Sequence, residues 1–223
     1  MTAFSYLVLT ASCLWLCFWL WQRRRDRREG ARGAITASLV GLALVAGTAF
    51  PLALVQWGLV SKAVEHAQRI MGLAAQHMSL PLLGLACLYL ASGWRWKPII
   101  WSRIILGILA FYELSRYLDW QSGYLWLLTL AAAVAMAISG LLNIGRDRRV
   151  VILCLAAIFC TLAPALLAGL VERLPLLSLL DASIDASWLV PGFIAAGLAV
   201  GVLAEQAHNG EHNPSGPETP LQS

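Results

Sequence analysis

The chain has 223 residues, of which 59% are hydrophobic and 13% are charged. A soluble domain has about 45–50% apolar and about 25% charged residues, so this composition excludes a soluble globular protein. The net charge of +4 does not indicate nucleic-acid binding, because the basic residues cluster in short segments between apolar runs. The sequence therefore predicts a polytopic protein of the lipid bilayer that has no nucleic acid as partner.

The first apolar run, residues 3–21, lies directly before the most basic segment of the chain. That segment holds six of the sixteen basic residues, namely Arg23, Arg24, Arg25, Arg27, Arg28 and Arg32. A cleaved signal peptide would carry its charges ahead of the apolar run. We therefore expect a retained first helix whose N-terminus lies outside and whose arginines lie in the cytoplasm.

Six further apolar runs follow, each close to the roughly 20 residues that cross a hydrocarbon core. They cover residues 34–60, 70–92, 99–118, 124–144, 150–170 and 188–204. We expect the second helix to tilt or kink at Pro51, and residues 61–69 to form a short polar connection. Residues 174–180, in the outer loop 171–187, are apolar enough to lie along the membrane interface.

The predicted fold is an all-α transmembrane bundle of about seven helices, with one membrane domain over residues 1–205. Residues 206–223 are rich in proline and glycine and predict a disordered cytoplasmic tail. Twelve of the sixteen basic residues fall on predicted inner segments, including Arg146, Arg148 and Arg149 between the fifth and sixth helices. This pattern indicates an external N-terminus and an internal C-terminus, and it fits a bacterial inner (cytoplasmic) membrane.

Four polar residues inside apolar runs are the candidates for a site. Glu113 and Arg116 in the fourth helix are three residues apart and share a helix face. A charge at the bilayer centre costs about 2.5–3.5 kcal/mol, so such residues normally face the bundle or a wet cavity. Together with His77 and Gln76 of the third helix, they predict an outward-facing polar cavity. The alternative is structural: an ion pair that fixes the fourth helix, and a hydrogen-bonded packing histidine.

Metal, cofactor and enzyme signatures are absent from the sequence. The five cysteines (Cys13, Cys17, Cys87, Cys154 and Cys160) lie in apolar runs without a C-x-x-C pair, and we interpret them as small hydrophobes. His66 and His77 would be about 16 Å apart on a continuous helix, too far for one metal ion. There is no G-x-x-x-x-G-K-[ST], H-E-x-x-H or G-x-S-x-G motif. We therefore predict no metal, no cofactor and no assigned catalytic residue.

Small residues recur at one-turn spacing in two helices, where they allow neighbouring helices to approach closely. They are Ala131, Ala135 and Ser139 in the fifth helix and Gly197 and Gly201 in the seventh. We interpret most of them as internal packing, and one such face as a candidate surface for a membrane-protein partner or a second copy.

Three function classes remain open at this point. The first is a non-catalytic subunit or assembly factor of a membrane complex, which the sparse intramembrane polar residues favour. The second is a carrier of a small solute or ion, working through the cavity around Glu113, Arg116 and His77. The third is an intramembrane enzyme that modifies a lipid or quinone, with His77 and Glu113 as acid–base groups.

Overall fold

A computed structural model describes residues 2–25, 29–58, 62–94, 96–168, 175–180 and 187–209. Within these ranges the chain forms seven α-helices, one short 3₁₀ helix and no β-strand. The helices are α1 (Thr2–Arg24), α2 (Glu29–Gln56), α3 (Lys62–Ser92), α4 (Pro98–Tyr117), α5 (Gln121–Leu142), α6 (Arg148–Ala168) and α7 (Leu189–Asn209), with the 3₁₀ helix at Pro175–Leu179. The predicted all-helical bundle is confirmed.

Five of these helices are long and apolar enough to cross a membrane, namely α1, α2, α3, α5 and α7. Their length and composition make the chain an integral membrane protein with several spans, as predicted. Both α2 and α3 continue as helices through Pro51 and Pro81. Helix α4 carries three charged residues among its twenty, Arg103, Glu113 and Arg116.

Helix α3 lies at the centre of the bundle, packed between α2 on one side and α5 on the other. A side-chain Cβ on Gly41 of α2 would lie 3.1 Å from the backbone oxygen of Ser79. On Gly84 of α3 it would lie 2.8 Å from the backbone oxygen of Ala132 in α5. Glycine at these two positions therefore lets backbones touch, which is how membrane helices gain packing without a hydrophobic driving force. Helix α7 completes the bundle against α1, α2, α3 and α6.

The start of α3 corrects one expectation, because residues 62–69 are helical and not a separate polar connection. Lysine, alanine, glutamate, glutamine and arginine are all good helix formers, so polarity alone does not interrupt the helix. With 31 residues α3 is about 46 Å long, longer than the roughly 30 Å hydrocarbon core. It ends at Ser92 and is followed by Gly93, whose φ of +67° is one that other residues rarely adopt.

The 3₁₀ helix corrects a second expectation, because it packs into the bundle and does not lie along the interface. Leu176 and Leu179 are fully buried. The Tyr6 hydroxyl of α1 donates to the backbone oxygen of Ser178 at 2.8 Å, and the Gln68 amide of α3 donates to that of Leu179 at 3.2 Å. These two donors satisfy carbonyl groups that would otherwise need water. Residues 169–174 and 181–186 of the predicted loop lie outside the described ranges.

The basic segments gather at one end of the bundle, which we call the basic end. Arg23 at the end of α1 forms an ion pair with Glu205 of α7. The Gln206 amide of α7 donates to Asp147, between α5 and α6, at 3.0 Å. The segments around Arg23–Arg25 and Arg146–Arg149 therefore share one end. Helix α7 reaches Asn209, five residues beyond its predicted end, while Arg27, Arg28 and the tail from residue 210 lie outside the described ranges.

Candidate functional site

His77 is the most informative polar residue of the bundle core. It lies at the midpoint of α3 and is only 5% exposed. Its Nδ1 donates to the backbone oxygen of Leu73, one turn earlier, at 2.8 Å. This contact assigns the proton of a neutral imidazole to Nδ1, which leaves Nε2 as a hydrogen-bond acceptor.

Two tyrosines enclose the His77 ring. Tyr112 of α4 lies tilted against it, with ring centroids 4.5 Å apart, and Tyr124 of α5 is stacked on it at 5.9 Å. The Tyr124 hydroxyl donates to the backbone oxygen of Ile108 in α4 at 2.8 Å. The imidazole therefore sits where three helices meet, and its ring cannot turn without moving two aromatic neighbours.

Several buried polar atoms along this stretch of α3 have no hydrogen-bond partner among the described residues. They are Nε2 of His77, Oε1 of Gln76 and Oγ of Ser79. A buried group left without a partner costs about 1–3 kcal/mol. Because residues in a helix are about 100° apart, Ser79 lies nearly opposite His77 and faces α2. The unpartnered Nε2 of His77, enclosed by α4 and α5, therefore lies on a different side of α3 from the Ser79 hydroxyl.

Five buried hydroxyls of the bundle behave differently from His77. Thr10, Ser38, Thr129, Ser139 and Thr161 each donate to a backbone oxygen four residues earlier in the same helix. These bonds satisfy the hydroxyls within one helix and create no polar path between helices. Among the described residues, no group of three or more His, Cys, Asp or Glu side chains is placed to hold a metal ion.

Glu113 and Arg116 form an ion pair with each other at 3.0 Å on the outer surface of α4. Their side chains are 59% and 61% exposed. The residue beside Glu113, Tyr112, faces His77, so Glu113 is turned about 100° away from that contact. The structure therefore buries Gln76 and His77 inside the bundle, about 100° apart around α3, and places Glu113 and Arg116 on its surface.

The small residues divide between the bundle interior and its surface. Gly197 and Gly201 of α7 lie against Leu16 and Trp19 of α1, so this face is an internal contact. In α5, Ala135 and Ser139 are buried, whereas Ala131 is exposed. The residue of α5 at the closest backbone approach is Ala132, beside Gly84.

Sequence reasoning missed the two tyrosines that enclose His77. In the structure, the buried residues Trp101, Ile108 and Ser115 of α4 recur every seven positions. Tyr112 lies on the same stripe, one turn after Ile108. The five cysteines are free thiols, and Cys13, Cys87 and Cys154 are buried.

Comparison with known proteins found no matching family model, no matching curated protein and no matching solved structure.

Proposed function

We propose that the protein is a non-catalytic subunit or assembly factor of a membrane complex, and that α4 is the helix its partner covers. The observation that carries this proposal is the placement of α4. Its buried positions are limited to a narrow stripe, while Leu106, Phe111 and Tyr117 are 65%, 61% and 85% exposed. The same exposed surface carries the Glu113–Arg116 ion pair.

The ion pair favours a protein neighbour over lipid. Charged side chains inside a membrane normally face other protein or water, because lipid offers them no hydrogen bonds. Arg116 is one residue from the end of α4 and can reach the interface. Glu113 lies a full turn deeper, so a partner with a polar side chain at this depth would stabilise it.

A double substitution, Glu113→Leu with Arg116→Leu, tests the proposal. It makes the surface of α4 uniformly apolar, so the protein should still insert and accumulate normally. Native mass spectrometry of the gently extracted wild type should reveal a stoichiometric protein partner, and the double variant should lose it. The matched control, Ile152→Ala with Leu155→Ala on the exposed surface of α6, should keep the partner.

Two results would contradict the proposal. A wild type that carries no stoichiometric partner removes the subunit function. A partner that stays bound to the double variant removes α4 as its docking surface.

His77 favours two other candidate functions. One is a carrier of a small solute or ion, and the other is an intramembrane enzyme that acts on a lipid or quinone. The unpartnered Nε2 of His77 can accept a proton or a hydrogen bond. His77→Phe removes this nitrogen and should abolish uptake or turnover while the protein level is unchanged. Equal uptake or turnover by the variant would exclude His77 from that role.

We also propose that the membrane is a bacterial inner membrane and that the basic end faces the cytoplasm. The clustering of basic segments at one end of the bundle supports this orientation, because basic loops are retained on the cytoplasmic side.

A further inference from the structure

A groove runs between α1 and α2 on the outer surface of the bundle, with a volume of about 460 Å³. Phe18, Trp21 and Val40 in its walls are 63%, 48% and 37% exposed, so the groove is open to the surrounding membrane. Its other walls include Cys17, Thr36 and Ala43. The one hydroxyl among these side chains, on Thr36, is already bonded to the backbone oxygen of Arg32. The groove therefore suits a hydrocarbon chain and not a polar solute.

Arginines surround the end of this groove that is nearest the basic end. The Arg24 guanidinium lies over the Trp21 ring, 5.2 Å from its centroid. Arg32 lies one turn beyond Thr36, and one of its terminal nitrogens donates to the backbone oxygen of Arg25 at 3.1 Å. Arg24, Arg25 and Arg32 therefore continue directly from the apolar wall of the groove along α1 and α2.

These arginines keep donors for an external anion. Arg23 is engaged with Glu205 and with the Trp19 ring, so it serves the contact between α1 and α7. Arg25 and Arg32 are exposed. A guanidinium has five N–H donors, and Arg32 uses one of them on a backbone oxygen. The sequence from residue 23 to residue 32 has six arginines against two acidic residues, which leaves a positive balance.

We propose that this groove binds an anionic glycerophospholipid, with one acyl chain between α1 and α2 and the phosphate on Arg24, Arg25 and Arg32. Arginine binds phosphate oxygens through paired, charge-assisted hydrogen bonds. Basic pockets between membrane helices on the cytoplasmic side are sites where anionic lipid headgroups bind. Here the apolar groove lies at hydrocarbon depth and the arginines lie one turn beyond it, at headgroup depth.

The length of the groove favours a lipid chain over a docked helix. From Thr36 to Ala43 it extends two turns, about 10 Å. A helix that crosses the membrane spans about 30 Å and would need a contact surface of that length. The upper part of one acyl chain fills a 10 Å groove and leaves its remainder in the bilayer.

Native mass spectrometry of the full chain in detergent, titrated with palmitoyl-oleoyl phosphatidylglycerol or the matching phosphatidylcholine, tests this site. The phosphatidylglycerol adduct should form at the lower lipid concentration. Each arginine near a membrane surface contributes about fivefold in affinity. The triple variant Arg24→Gln, Arg25→Gln, Arg32→Gln should therefore bind phosphatidylglycerol about 100-fold more weakly and lose its preference over phosphatidylcholine.

A second variant, Ala43→Trp, tests the groove without changing charge. Ala43 is exposed in its wall, so a tryptophan fills the space without disturbing the core. Both lipids should then bind more weakly. The matched controls are Arg146→Gln, Arg148→Gln, Arg149→Gln at the same end of the bundle, and Ala131→Trp at an exposed alanine of α5. Both controls should retain the preference for phosphatidylglycerol.

Several results would overturn the proposal. They are equal binding of both lipids by the wild type, full phosphatidylglycerol binding by Ala43→Trp, or an equal loss in the control triple variant. Displacement of the lipid by inorganic phosphate alone would assign the arginines to a free anion instead. If thermal unfolding shows that the Arg24, Arg25, Arg32 variant is misfolded, the comparison of Ala43→Trp with Ala131→Trp decides the question.

Discussion

At the scale of single residues, the buried polar groups of the bundle are of two kinds. Some form a hydrogen bond with the backbone of their own helix, and others have no hydrogen-bond partner among the described residues. Thr129 and Ser139 donate to carbonyl oxygens of their own helix and need nothing from a neighbour. His77 has two ring nitrogens, and the same type of bond satisfies only Nδ1. The remaining nitrogen, which can accept a proton, distinguishes this residue from hydroxyls such as those of Thr129 and Ser139 and makes it the candidate for a functional role.

Replacing His77 separates its packing from its polarity. His77→Phe keeps a ring between Tyr112 and Tyr124 and removes the unpartnered acceptor, so stability should be unchanged or higher by up to about 1 kcal/mol. His77→Ala removes the ring as well and should cost about 2 kcal/mol or more through lost packing. Thermal unfolding of the purified protein in detergent measures both. A His77→Phe variant that is as unstable as His77→Ala would mean that Nε2 has a partner that stabilises the fold.

Part of this site could be predicted from the sequence, and part could not. Gln76 and His77 interrupt an apolar run, and a polar residue in such a run predicts an interior position. The outward orientation of Glu113 could not be predicted, because apolar residues also occupy the side of α4 that carries Glu113 and Arg116, so hydropathy does not fix the rotation of the helix. The contacts of His77 with Tyr112 and Tyr124 depend on how three helices are arranged in space, which a single sequence does not encode locally.

At the scale of helices, close backbone approach fixes α3 between its neighbours. Ser79 lies against Gly41 of α2, and Gly84 lies against Ala132 of α5. The sequence shows which glycines lie in apolar runs. It does not show which of these glycines lie at a contact between helices. Gly107 of α4 has the same appearance in the sequence and faces open space.

This difference gives a matched pair of substitutions. Gly84→Leu places a side chain against the backbone of α5 and should destabilise the protein by about 1–3 kcal/mol, the usual cost of overpacking. Gly107→Leu meets nothing within 4 Å, and its effect should stay within about 0.5 kcal/mol or be stabilising. Both variants gain the same helix propensity, so their difference in thermal unfolding isolates the contact. Equal melting temperatures would contradict the close approach of α3 and α5.

At the scale of the whole molecule, the basic segments share one end although they are far apart in the chain. The ion pair of Arg23 with Glu205 and the hydrogen bond of Gln206 to Asp147 connect three of the helix ends there. The distribution of arginine in the sequence predicted that these segments lie on one side. The number of helices was also predictable, because each apolar run is long enough to be counted separately. The helical conformation of the polar first turns of α3 could not be predicted, because hydropathy indicates membrane depth and not where a helix begins.

Thiol labelling of intact cells tests this arrangement. Lys62→Cys and Ser122→Cys, at exposed positions remote from the basic end, should react with a membrane-impermeant maleimide added outside. Arg25→Cys and Gly145→Cys should react only after the cells are permeabilised. The wild type, with its five cysteines in helices, measures the background. Opposite behaviour of positions 25 and 145 would contradict a shared end, and labelling of both from outside would reverse the orientation.

The contact of α7 with α1 also has a consequence for synthesis of the chain. Gly197 and Gly201 of α7, which lie against Leu16 and Trp19, are synthesised after α1. Until α7 has been inserted, α1 has only α2 as an extensive neighbour, and the surface around Leu16 faces lipid. The contact that covers this face of α1 therefore forms only after α7 has been inserted. A chain that stops before residue 189 lacks α7 and leaves this face of α1 exposed to lipid.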